Sequence, residues 1–153
     1  MEALHVRPFN LTPGDGYFPM YGQQHAWGTI ICFESTFPSI SRAMARHGAE
    51  LLVEITNDTW FGSTAAAEQH AAMAPLRAVE TRRALARATT TGISTLVDDH
   101  GRVRRRLGLF REGFLLDRLP LRRDLTPYVR LGDWPVLLSL LLCLGALWPR
   151  SRR

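Results

Sequence analysis

The chain has 153 residues, enough for one domain with its own hydrophobic core, and its 46% hydrophobic and 22% charged residues exclude a disordered protein. The formal charge is +5 and all 19 basic residues are arginine, so no mechanism that needs a lysine ammonium can be completed by these residues alone. The arginines are spread over the chain, with Arg104, Arg105 and Arg106 the only tight run in its body and no zinc-finger spacing or aromatic-interleaved basic ribbon beside it, which argues against nucleic acid as a partner. Residues 1–26 are rich in Pro, Gly and aromatics around Thr12-Pro13-Gly14-Asp15-Gly16 and read as a loop entering mid-domain; no signal peptide is expected there. Trp27 to Phe33 reads as a short buried strand. A helix is predicted over Ser39–His47, with Pro38 at its start, Ile40, Met44 and Ala45 on its apolar face and Gly48 at its end.

Glu50 to Thr56 is a second strand, and Leu51, Leu52, Val53 and Ile55 suggest burial on both faces. Asn57 to Gly62 is a loop, in which Asn57 and Asp58 organise the turn. A long helix is predicted from Thr64 to Ala88, kinked at Pro75, with Ala72, Leu76, Val79 and Leu85 facing inward. Ile93 to Asp98 is a third strand, Asp98 to Arg102 a hairpin turn with Gly101 at its positive-φ position, and Val103 to Leu109 the returning strand. Phe114 to Leu119 is expected to be another short strand. Strand, helix, strand, helix and meander describe an α/β domain with a mixed sheet.

From Trp134 to Trp148 the chain carries no charge and is dominated by leucine. The expectation is a transmembrane helix over residues 134–149, bracketed by Trp134 and Trp148, with a basic cytoplasmic tail over residues 150–153 containing Arg150, Arg152 and Arg153. Fifteen helical residues span only about 22 Å against about 30 Å of hydrocarbon, so a buried apolar helix is the competing expectation.

The cysteines Cys32 and Cys143 are far apart in sequence and suggest neither a disulfide framework nor a metal site; no metal or other cofactor is expected. Cys32 ends an apolar strand and is followed by Phe33 and Glu34, with a helix start at Pro38 four places after Glu34. Such a corner exposes a nucleophile and presents backbone N–H groups to a developing oxyanion. A small apolar cysteine finishing a core strand fits the same position. His25, His70 and His100 read as surface or turn residues without a catalytic part.

The string Gly28-Thr29-Ile30-Ile31-Cys32-Phe33-Glu34-Ser35-Thr36-Phe37-Pro38 resembles the nucleophile segment of the carbon–nitrogen hydrolase (nitrilase) superfamily. Asn57-Asp58-Thr59-Trp60-Phe61-Gly62, Gln69-His70, Arg77-Ala78-Val79-Glu80, Leu125-Thr126-Pro127-Tyr128 and Gly132-Asp133-Trp134-Pro135 follow in order, and this set resembles the apolipoprotein N-acyltransferase branch. The resemblance implies the C-terminal half of an αββα sandwich over residues 1–133, trailed by a transmembrane helix. It also implies acyl transfer in two steps, from a phospholipid acyl donor to a cysteine thioester, then to the α-amino group of a diacylglyceryl-cysteine lipoprotein acceptor. The site would be at the bacterial inner membrane, with the catalytic domain periplasmic and the C-terminus cytoplasmic.

Residue by residue, Cys32 matches the nucleophile, Glu34 a supporting carboxylate, and Phe33 the position whose backbone N–H serves the oxyanion. Trp60 and Phe61 match substrate-binding positions near the acyl pocket. The family's general-base glutamate and its lysine lie upstream of the nucleophile. Here 31 residues precede Cys32, and among them are only Glu2 and no lysine. The expectation is therefore a fragment, a split subunit with a missing N-terminal half, or a degenerate gene product, inactive alone. A soluble nitrilase-type amidase and a non-catalytic membrane-anchored remnant of the fold are the alternatives.

Overall fold

The computed structural model describes residues 14–147. The start of the expected entry loop, Trp148 and the arginines of the tail lie outside them. The elements are β1 (Met20–Tyr21), β2 (Ala26–Ile31), a 3-10 turn (Cys32–Thr36), α1 (Pro38–Arg46), β3 (Leu51–Thr56), a second 3-10 turn (Thr59–Phe61), α2 (Ala65–Ala71), α3 (Met73–Thr81), β4 (Ala84–Thr89), β5 (Ser94–Val97), β6 (Val103–Leu107), α4 (Pro127–Leu131) and α5 (Trp134–Leu147). The six strands form one sheet in chain order. β2, β3 and β4 are parallel; β1, β5 and β6 pair antiparallel at the two sides.

Helix α1 sits on β2 because Gly28 leaves room: a Cβ there would lie 2.7 Å from Met44 Cβ. Ile40, Met44 and Ala45 are buried as expected, and Gly48 turns the chain at φ 98°. Ile30, Met44, Ala49, Leu52, Ala74, Ala78, Leu85 and Val97 form the core between the sheet and helices α1 and α3. The hairpin Asp98–Arg102 closes with Gly101 at φ 78°.

Four expectations are corrected. The long helix over Thr64–Ala88 is two short helices and a strand. Ala72 separates α2 from α3, which places Pro75 in the first turn of α3, where a missing N–H costs little. Arg82 then ends α3 in the left-handed conformation, φ 54°. Ala84–Thr89 has helical propensity, but it is held between β3 and β5, and pairing on both sides overrides that preference. The inward residues of α3 are Ala74, Arg77, Ala78 and Thr81, whereas Ala72, Leu76 and Val79 are exposed. Ala74 and Ala78 are small and let the helix come close to the sheet.

Phe114–Leu119 forms no strand; the segment after β6 is irregular. It is tied down by Phe110 N–H to Thr91 O (2.9 Å), by Arg122 N–H to Glu50 O (3.3 Å) and by Arg83 Nη1 to Asp124 O (2.8 Å). β3 is not buried on both faces: Leu52 and Glu54 are enclosed, while Ile55 is 47% exposed.

The fold is α/β, but the transmembrane helix expected at its end is not found among the described residues. α5 has 14 residues, about 21 Å at 1.5 Å each, short of the ~30 Å of a hydrocarbon core. No helix among the described residues is long and apolar enough to cross a membrane.

Candidate active site

Cys32 stands where β2 ends, at the carboxyl end of the parallel strands, the side on which open α/β sheets place ligands. Its backbone is left-handed, φ 51°, while Ile31 before it is extended at φ −108°. A left-handed residue with a Cβ costs roughly 1–2 kcal/mol, so the corner persists only because its neighbours fix it. Glu34 accepts from Ile31 N–H (2.8 Å), Ser35 Oγ donates to Cys32 O (3.1 Å), Thr36 Oγ1 donates to Phe33 O (2.8 Å), and Phe37 N–H donates to Glu34 O (3.0 Å). The Cys32 side chain is half-buried, and among the described residues its thiol makes no hydrogen bond. Glu34 thus caps the corner through Oε2.

Directly behind the corner, on the helix side of the sheet, lies a buried charged network. Glu54 on β3 and Arg87 on β4 face each other in register, and Arg87 Nη1 donates to Glu54 Oε1. Arg87 Nη2 donates to Asp58 Oδ2 (2.7 Å), and Arg87 Nε donates to Ile93 O (3.2 Å). Thr56 Oγ1 donates to Asp58 Oδ1 (3.0 Å), and His70 Nδ1 on α2 lies 2.9 Å from the same oxygen. His70 Nε2 reaches the corner itself, 3.2 Å from Ser35 Oγ and 3.3 Å from Cys32 O. Ser35, Glu54, Asp58, His70 and Arg87 are all buried. Gly92 makes space for Asp58: a Cβ there would lie 2.4 Å from Asp58 Oδ2.

His70, read from the sequence as a surface or turn residue, is interior, and Asp58 holds its loop, its backbone carbonyl accepting from Phe61 N–H (3.0 Å), while its carboxylate is buried. One signal for the network is in the sequence: Glu54 is a charged position inside a strand of apolar neighbours, which is unusual unless the charge is paired, whereas Arg87 falls in the segment read as helix.

Phe33 is 60% exposed and stacks edge-on with Phe37 at 5.8 Å. Phe33 and Phe61 both approach the His70 ring, at 6.5 and 5.6 Å between centroids. Together with Thr36, Ala66, Gln69, His70 and Met73 they line a cavity of about 220 Å³ beside the Cys32 corner. The structure thus brings Phe33 and Phe61 together. Trp60 is 84% exposed and does not line that cavity.

The opposite end of the strands holds different electrostatics. The hydrogen bond from Arg123 keeps Glu50 below the ordinary carboxylate range against the opposing pull of burial, with His25 adding to it (2.7 Å). Burial pushes Asp99 upward, but His100 and Arg122 (3.0 and 2.9 Å) outweigh it and leave the group lowered. Asp98, Asp99 and His100 offer three ligand atoms within 4.8 Å of one another. Asp98 is already engaged by the N–H groups of His100 and Arg102 (2.9 Å each) and Asp99 by His100 and Arg122, so the cluster reads as a satisfied hairpin turn.

Comparison with known proteins agrees with this geometry. Residues 3–124 match the family described as carbon-nitrogen hydrolase. The apolipoprotein N-acyltransferase of Geobacter metallireducens is 45% identical over 106 residues, covering 69% of this chain and 20% of that protein. The Thermotoga maritima apolipoprotein N-acyltransferase is 44% identical over 133 residues, covering 79% of this chain and 24% of that protein. Among solved structures, an amidase from Nesterenkonia sp. superposes with a TM-score of 0.58 at 22% identity, over 85% of this chain and 49% of that one. A carbon–nitrogen hydrolase from Helicobacter pylori G27 gives 0.58 at 18% identity, over 66% and 43%. The chain spans about a quarter or less of the curated relatives it matches. Matched across most of its length, the chain belongs to the carbon–nitrogen hydrolase family and, within it, is similar to the apolipoprotein N-acyltransferases.

Proposed function

We propose that residues 1–133 form the nucleophile-bearing part of an enzyme that moves an acyl group from a phospholipid to a lipoprotein through a thioester on Cys32. The observation that carries this reading is Cys32 itself: a cysteine in a left-handed corner at the carboxyl end of parallel strands, in a chain similar to apolipoprotein N-acyltransferases. In the first step the Cys32 thiolate attacks the carbonyl of a phospholipid ester. A C–S bond forms, the C–O bond breaks, and the lysophospholipid leaves with a proton. In the second step the α-amino group of an N-terminal diacylglyceryl-cysteine attacks the thioester. An amide forms, and the thiol returns. Covalent catalysis divides one difficult acyl transfer into two easier ones.

A free thiol is mostly protonated near neutral pH, so the first step needs a base at the sulfur. Among the described residues no carboxylate or imidazole hydrogen-bonds the thiol, and the sequence has no lysine. The base and the cationic oxyanion partner therefore come from outside these residues, and the chain alone is expected not to turn over. Similarity to apolipoprotein N-acyltransferases and a phospholipid donor support the bacterial inner membrane as the site, and in this reading the domain faces the periplasm. Phe33 and Phe61 give an apolar wall beside the corner, where acyl methylenes lose no hydrogen bond on leaving water.

The test is a chimera in which residues 14–131 replace the matching segment of the Geobacter metallireducens relative, assayed for N-acylation of a diacylglyceryl-modified lipoprotein. Acylated product is expected, with loss of at least about 10³-fold in Cys32→Ser. Activity that survives Cys32→Ser would overturn the assignment. Hydrolysis of small amides without acyl transfer would favour an amidase instead.

A further inference from the structure

Cys32 is held in a strained conformation, and its backbone carbonyl is where the buried network ends. Two donors converge on that carbonyl: Ser35 Oγ at 3.1 Å and His70 Nε2 at 3.3 Å. Ser35 has one hydroxyl proton, and it is directed at Cys32 O. A carbonyl oxygen can only accept, so the His70 Nε2 contact with Cys32 O is a hydrogen bond through a proton on Nε2, with Ser35 Oγ 3.2 Å from the same nitrogen. The other ring nitrogen lies 3.1 Å from Arg87 Nη2, a donor, and 2.9 Å from Asp58 Oδ1; Asp58 is fixed by the same Arg87 (2.7 Å), which is itself locked to Glu54 across two central strands. The ring is buried, so water does not compete for these contacts.

We propose that His70 is a positioning residue for the nucleophile: it transmits the rigidity of β3 and β4 to the Cys32 corner by donating from Nε2 to the Cys32 carbonyl, and so holds the left-handed backbone on which the thiol is carried. The nucleophilic part of Cys32 rests on the function proposed above; the geometric part does not. His70 acts through the backbone and makes no hydrogen bond to the thiol among the described residues. Its contribution is geometric: a reacting group displaced by about 1 Å can lose about 10²-fold in rate.

Two substitutions separate this role from simple filling of space. The amide nitrogen of His70→Gln reaches the place of Nε2 and can still donate to Cys32 O. That of His70→Asn reaches the place of Nδ1 and cannot. The chain has two cysteines, so ¹³C,¹⁵N-cysteine labelling of the full chain gives one signal set for Cys32 and one for Cys143, the latter an internal control on α5. His70→Asn is expected to lose the left-handed carbon-shift signature of Cys32, His70→Gln to retain it, and Cys143 to stay unmoved in both. Equal Cys32 shifts in the two variants, or none in His70→Asn, would overturn the proposal. The unmodified chain supplies a reading that depends on neither variant folding: ¹⁵N-histidine spectra must show a protonated Nε2 on His70, and an unprotonated Nε2 would refute the contact outright. None of these readings requires acyl transfer. A chimera inactive in lipoprotein acylation with these signatures intact would sink the function and leave the positioning role standing.

Discussion

The two faces of the sheet solve opposite problems. The helix-covered face buries Glu54, Arg87, Asp58 and His70 in a hydrogen-bonded cluster under α2 and α3, next to an apolar core, with Glu54 Oε2 left without a partner. The other face carries Ile31, Ile55 and Ala88 in one register row, and Ile31 is 57% exposed. Charge is thus inside and apolar surface outside, the reverse of the usual distribution. The network gives the closed face a fixed geometry to pass on to the Cys32 corner. The open face leaves this apolar row in solvent, and the chain spans about a quarter or less of the curated relatives it matches.

The largest effect is expected from breaking the closed face. Arg87→Leu leaves Glu54 and Asp58 as buried carboxylates without their cation and should cost roughly 3–5 kcal/mol in denaturant unfolding of the full chain. A cost below about 1 kcal/mol would mean that the network is not closed to water. Next comes Gly92→Ala, whose Cβ would lie 2.7 Å from Asp58 Cβ; about 1–3 kcal/mol is expected, together with a shift of the His70 ring signals. The open face gives a conditional result. Ile55→Asp should change the stability of the chain alone by no more than about 0.5 kcal/mol, since the side chain is half in solvent. In the chimera the same change should cost more than about 2 kcal/mol, because a covering layer would strand the carboxylate. Equal costs in both settings would break the comparison.

The smallest effect is at the far end of the strands. Glu50 and Asp99 are lowered in the fold, so their contribution to stability is present above the ordinary carboxylate values near 4 and is lost as pH falls through their folded values. Arg123→Ala should move the midpoint of acid unfolding upward, read by circular dichroism. An unchanged midpoint would show that the Arg123–Glu50 pair does not contribute.

How far the sequence revealed these features depended on where the information sits. β2 and β3 were readable because apolar, β-branched runs between turn residues have few other uses. The Cys32 segment was readable from its motif. β4 was not, because Ala84-Leu85-Ala86-Arg87-Ala88-Thr89 has the local preference of a helix and becomes a strand only through partners on both sides. His70 was hidden for a related reason: it contacts Cys32 across 38 residues, a proximity set by the fold rather than by spacing. The apolar run at the end, with Trp134 and Trp148 around it and arginines after it, has the pattern of a membrane span, but the 14 residues of α5 are too few to span a bilayer.

The central claim, that Cys32 carries the acyl group, is tested most directly by mass spectrometry of the chimera incubated with phospholipid and quenched before acceptor is added. The account predicts a hydroxylamine-labile acyl mass on the peptide containing Cys32 and none on the peptide containing Cys143. Product formed on later addition of lipoprotein, with no acyl mass ever on Cys32, would contradict it.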